Sequence, residues 1–182
     1  MSISPTYTIR PNPERAFFQQ TWNFATPGIV REAKVQIRRQ ARIVALQALY
    51  EIDSVDHPVG VVLGQRIQDS HIADNGQAFV RSLVQGVLKN RDELDTLIGV
   101  HAPEWPVAQM SIVDRNVLRI ALFEFLIDGG TPPKVAINEA VELAKIFGSD
   151  SSPRFINGVL GTLFNKHIAD IQRNKKRKNS AK

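Results

Sequence analysis

From Val35 onward the apolar residues recur three and four positions apart, and no stretch alternates as a half-buried strand would. This period constrains the fold most. Residues i, i+3 and i+4 share one face of a helix, whereas i and i+2 share one face of a strand. The first helix is expected over Val35–Asp53, VQIRRQARIVALQALYEID, with Ile37, Ala41, Val44, Ala45, Ala48 and Ile52 on one stripe. Asp56, His57 and Pro58 break it. Further helices are expected over Val59–Ser70, Asp74–Lys89 and Arg91–His101, with Asn90 and Glu93 as a capping box for the last. The two prolines of APEWP (Ala102–Pro106) cannot continue a helix.

The second half is punctuated more sharply. Ser111 is placed to cap a helix reaching Ile127, where Gly129 and Gly130 stop it. Thr131 before Pro132 reads as an N-cap followed by proline at the first helical position. That helix runs to Phe147 and ends at Gly148. Ser152 and Pro153 repeat the signal for a last core helix, about Arg154–Lys166, in which Gly158 and Gly161 read as sites of close helix contact. The expected architecture is all-α: about seven helices in two small bundles, roughly 35–102 and 107–168. A Pro- and aromatic-rich segment, 1–34, precedes them, with a short helix expected around Glu14–Asn23. A basic tail, 169–182, follows, and with nothing to bury it is expected to be disordered.

Charge is distributed unevenly. Residues 1–42 hold seven Lys/Arg against two Asp/Glu (+5), residues 43–165 nine against fifteen (−6), and residues 166–182 seven against one (+6), summing to the net +5. An acidic middle with basic ends suits a polyanion at one place and a basic protein at another; for the tail, solubility alone is the competing reading. The absence of cysteine excludes disulfides, Cys-bound zinc and a cysteine nucleophile. No apolar run reaches the roughly 18–20 residues of a membrane span, and the N-terminus does not read as a signal peptide, so a cytoplasmic protein is expected.

Catalytic signatures are missing. His57, His71, His101 and His167 are scattered, and no phosphate-binding glycine loop is present. Asp53, Asp56 and His57 could hold a metal only if a further ligand came from elsewhere; helix-end capping is the simpler reading. No enzyme, cofactor or metal is expected.

The start of the first helix carries the clearest binding signal. At about 100° per residue, Arg38, Arg39 and Arg42 project from one flank beside the apolar stripe. Glu32 is the nearby acid in sequence, so local neutralisation is weak, and nucleic acid is favoured over pairing with acids of the same protein. A second candidate site lies at the last helix start: Ser151, Ser152, Arg154 and Phe155. Backbone N–H groups there favour phosphate, and Phe155 either stacks on an unpaired base or belongs to the core. Single-stranded RNA suits an exposed aromatic better than duplex DNA.

The blocks RRQARIVALQALYEID, FVRSLVQGVLKNRDELDTLI, VLRIALFEFL, KVAINEAVELAKIFG and RFINGVLGTLFNK together resemble the NusB family of transcription antitermination factors. The resemblance spans about Val35–Lys166. It implies an all-helical fold of two small bundles and binding to the boxA element of ribosomal RNA leader transcripts. It also implies action with the ribosomal protein NusE, so that RNA polymerase reads through terminators. Arg38, Arg39 and Arg42 match the family's arginine-rich helix start, and Phe155 matches its aromatic near RNA. Residues 1–34 and the length of the basic tail depart from the pattern. The competing expectations are a protein-interaction module without RNA affinity and a domain of the kind fused to ribosomal RNA methyltransferases.

Overall fold

The structure, a computed structural model, describes the backbone of residues 27–180 other than Asp56, and the side chains of residues 32–169 other than Asp56. The short helix expected over Glu14–Asn23 and most of the aromatic-rich segment lie outside the described residues. Among the described residues seven α-helices follow in order: α1 (Pro27–Ser54), α2 (Val59–Ser70), α3 (Asp74–Lys89), α4 (Arg91–His101), α5 (Ile112–Leu122), α6 (Pro133–Phe147) and α7 (Ser152–Ser180). A short 3-10 turn, Val107–Gln109, precedes α5, and a five-residue π-helical turn, Phe123–Ile127, extends it. No strand occurs among the described residues.

Ile37–Lys182 form one compact unit. Ala102–Pro106 interrupts the helices as expected, yet a single apolar core continues across it, from Ala41 and Leu49 through Leu83 and Leu94 to Leu118, Leu143 and Leu160. The first stripe packs as the period demands. Ala41, Val44, Ala45 and Ala48 are buried, with Ile37 and Ile52 packed at its ends. Helix α5 lies against α3, α4, α6 and α7. All of Asn116–Leu122 is buried, including two polar side chains, as befits a central helix.

Several helix ends differ from expectation, two of them because a polar side chain found another partner. Helix α1 begins at Pro27, eight residues before Val35. Asn90 holds the N-cap position of α4, its carbonyl accepting from the Leu94 N–H at 3.0 Å, but its side chain makes no cap bond; its amide turns back and donates to the Gly86 carbonyl at 2.7 Å, closing α3. Thr131 does not cap α6, which starts at Pro133. Its buried hydroxyl donates instead to Glu124 Oε1 at 2.8 Å. Ser111 does cap α5, accepting from the Asp114 N–H at 3.0 Å. The backbone of α7 stays helical to Ser180, through the tail expected to lack regular structure.

The glycines also redistribute. A Cβ on Gly158 or Gly161 would meet nothing within 4 Å, so neither mediates the helix contact expected of them. The close approach falls at Gly86, where a Cβ would overlap the Phe123 ring. Only a glycine lets α3 rest on the phenyl ring of the π-turn.

Candidate nucleic-acid interface

The start of the compact unit presents Arg38, Arg39 and Arg42 around one aromatic ring and two carboxylates. The Arg38 guanidinium carbon lies 4.6 Å from the Phe79 ring centroid, and that of Arg42 lies 5.6 Å from it. Cations over a ring face are attracted by its quadrupole. Arg38 and Arg39 are partly exposed. Arg39 donates to Glu139 through Nε at 3.3 Å and Nη2 at 3.1 Å. That bond, with the nearby Glu142 charge, raises the Arg39 pKa above its ordinary value although burial opposes it.

Arg42 corrects the expectation of three outward-facing arginines. It is buried, and it donates to Glu124 in a two-pronged pair, Nε to Oε2 and Nη2 to Oε1, both at 2.8 Å. A longer contact of 3.5 Å runs to Glu139. The partners are acids of remote helices, invisible to a search of neighbouring sequence. Two buried charges remain stable together only because each satisfies the other. Glu124 stands alone in the apolar run RIALFEFLI. A lone acid in such a run is the signal that a buried cation must meet it. Arg38 makes no ion pair among the described residues, so its guanidinium is the one of the three that carboxylates leave open.

The second candidate site is assembled by the start of α7 and the Ala102–Pro106 loop. Ser151 caps α7, its carbonyl accepting from the Phe155 N–H at 3.1 Å; the residue is exposed, and its hydroxyl lies 3.1 Å from the Ser149 hydroxyl. Ser152 is buried, a correction to its reading as a ligand-facing residue. Its Oγ accepts from the Ser149 N–H at 2.9 Å and shapes the turn before the helix. Arg154 is exposed, and Phe155 is half-buried. Phe155 meets Trp105 edge-on, with ring centroids 6.1 Å apart and planes at 66°. Trp105 was not singled out by sequence reasoning; a tryptophan flanked by two prolines in a short loop was the available signal. No hydrogen bond, ion pair or aromatic contact joins the arginine cluster to the Trp105–Phe155 pair among the described residues.

A third polar cluster holds the helices together. Arg119, buried on α5, donates to Asp95 through two bonds of 2.7 and 2.8 Å and to Asp53 at 2.9 Å. Asp53 also accepts from Arg115 and Asn116, each at 3.1 Å, and pairs with Arg91 at 3.3 Å. Burial alone would push the Asp53 carboxyl up. Arg119, Arg91 and the bonds from Asn116 and Arg115 outweigh it and hold the group below the usual carboxylate range. With its oxygens so engaged, Asp53 is a structural hub. His57 lies beside Glu51, with Nδ1 3.1 Å from Oε1, and Asp56 lies outside the described residues. Among the described residues no three potential metal-binding side chains converge, and no helix is long and apolar enough to cross a membrane.

Residues 39–165 match the NusB family. Transcription antitermination protein NusB of Chloroflexus aggregans is 51% identical over 139 residues, which cover 75% of this chain and 93% of that protein. The protein of the same name from Roseiflexus castenholzii is 50% identical over 133 residues, 72% of this chain and 94% of its own length. The solved structure of T. maritima NusB superposes with a TM-score of 0.65 at 31% identity, covering 69% of this chain and 89% of that one. A crystal structure of antitermination factors NusB and NusE in complex with dsRNA shares the fold, with a TM-score of 0.66 at 23% identity over 72% of this chain and 98% of that chain. With the helical architecture, the arginine-bearing helix start and this extent of identity in agreement, the chain belongs to the NusB family.

Proposed function

We propose that this protein is a non-catalytic transcription antitermination factor that binds boxA-like single-stranded RNA together with the ribosomal protein NusE. It holds nascent ribosomal RNA beside RNA polymerase in the cytoplasm. The observation that carries the reading is the cationic edge of α1 on a NusB-family chain: Arg38, partly exposed over Phe79, and Arg39, partly exposed beside Glu139. A guanidinium over an aromatic face keeps its N–H edge available for phosphate. Arg42 contributes from within, fixing α1 against Glu124 and bridging to the Glu139 that holds Arg39. Ser151, Arg154 and Phe155 supply a second point of contact, with Ser152 setting their turn. The fold shared with the NusB–NusE complex supports NusE as partner. The acidic balance of residues 43–165 suits a basic ribosomal protein.

Filter binding with boxA RNA, with and without NusE, tests the reading. Retention that falls steeply with salt is expected. Arg38→Ala with Arg39→Ala is expected to weaken binding by more than about tenfold, the effect of removing two charge-assisted phosphate interactions. Wild-type affinity in that variant removes the arginine assignment.

A second reading rests on the pairing of Arg39 and Arg42 with Glu139 and Glu124. Such self-neutralisation suits a protein-interaction module without its own RNA affinity. No RNA retention, with NusE or without, supports that module.

A further inference from the structure

Trp105 is 59% exposed, and what sets it apart from a singly exposed apolar residue is that its ring meets a second aromatic, the half-buried Phe155. Its position is set. Pro103 and Pro106 flank it, and its N–H donates to the Ala102 carbonyl at 2.9 Å. Its contact with Phe155 forms a ridge between two clefts, of about 580 Å3 and about 220 Å3, both of which Trp105, Ser151 and Phe155 line. The larger has a volume within the range of about 300–1,000 Å3 usual for small-ligand sites.

Two further features of that cleft point to a ligand. Arg154 lines it, exposed and without an ion-pair partner among the described residues. Its lining includes Gly158, which is exposed on α7 and with a Cβ added would meet nothing within 4 Å among the described residues. A glycine inside a helix destabilises it relative to alanine. With no packing reason among the described residues, the missing side chain keeps the cleft open. An open cleft walled by two aromatic rings, with one cation at its edge, matches a flat, unpaired nucleobase and its phosphate. Glu104, on the Trp105 loop, also lines the cleft, so the phosphate is assigned to Arg154 on α7 and not to the Glu104 carboxylate.

We propose that Trp105 is a base-stacking residue. One unpaired base of the bound RNA enters the larger cleft against the Trp105–Phe155 ridge and over Gly158, with its phosphate on Arg154. This rests on the RNA-binding reading above and adds to it a site for a single base.

The test uses Trp22→Phe, which leaves Trp105 the sole one of the two tryptophans. Titration with a boxA RNA oligonucleotide is expected to quench Trp105 emission. Abasic substitutions scanned along the RNA are expected to find one position that abolishes the quench and weakens binding about tenfold, the effect of removing one stacked base. Gly158→Leu, which fills the cleft, is expected to weaken RNA binding similarly with an unchanged or raised melting temperature. RNA bound with normal affinity by Gly158→Leu, and with Trp105 emission unmoved, overturns the inference while leaving the RNA reading intact. A quench produced by NusE alone assigns the cleft to protein and overturns it too. No RNA binding by the wild-type protein removes both.

Discussion

Arg42 and Glu124 are 82 residues apart in sequence, and their side chains meet through two parallel hydrogen bonds of 2.8 Å in the protein interior. Glu124 sits in the π-helical turn after α5 and also accepts the Thr131 hydroxyl. One carboxylate therefore ties α1 to the π-turn and to the loop entering α6. π-turns inside helices often mark functional positions, and this one aims an acid at the arginine-bearing helix.

Removing either partner leaves an uncompensated buried charge. Glu124→Ala or Arg42→Ala is expected to lower stability by about 3–5 kcal/mol. Urea unfolding at neutral pH measures it. Replacing both at once, Arg42→Met with Glu124→Leu, is expected to recover most of the loss. A double variant as unstable as the sum of the singles would show that the pair contributes beyond charge compensation.

RNA binding by Arg42→Ala must accordingly be read with its stability. Arg38→Ala is the cleaner probe, because Arg38 touches Phe79 and no acid among the described residues. Its unfolding midpoint is expected to change little. The slope of log affinity against log salt is expected to fall by about 0.7–0.9 for each phosphate no longer neutralised. An unchanged slope would place Arg38 away from the RNA.

Asp53 makes stability sensitive to acid. Its folded pKa lies below the ordinary value, so its contribution is fully present at neutral pH. The contribution fades as pH drops past about 4, where the unfolded carboxyl takes up its proton, and is lost below the depressed folded value. Asp53→Asn is expected to be less stable than wild type at pH 7, with the gap closing as pH falls toward about 3, below the ordinary carboxylate value. Urea midpoints across that window check it; a gap independent of pH would contradict the hub role.

Glycine substitutions separate packing from propensity. Gly86→Ala is expected to be destabilising, since its methyl would overlap the Phe123 ring. Gly161→Ala meets nothing and is expected to stabilise α7 by up to about 1 kcal/mol. Thermal melts of the two variants should therefore move in opposite directions.

The sequence by itself determined the helices. Val59–Ser70, Asp74–Lys89 and Arg91–His101 match the observed spans residue for residue, because periodicity and breakers act locally. It also determined the family, through blocks whose order survives in the fold. The tertiary structure decided which charges are open. Nothing near Arg42 in the chain announces Glu124, and nothing near Phe155 announces Trp105. The cap positions tell the same story: Asn90, Thr131 and Ser152 are all good cap residues, yet each gave its side chain to a different partner. A helix period depends on neighbours along the chain, whereas an ion pair or a stacked ring depends on neighbours in space. Only packing creates those, and here it buried one of three arginines and left a tryptophan exposed over a cleft.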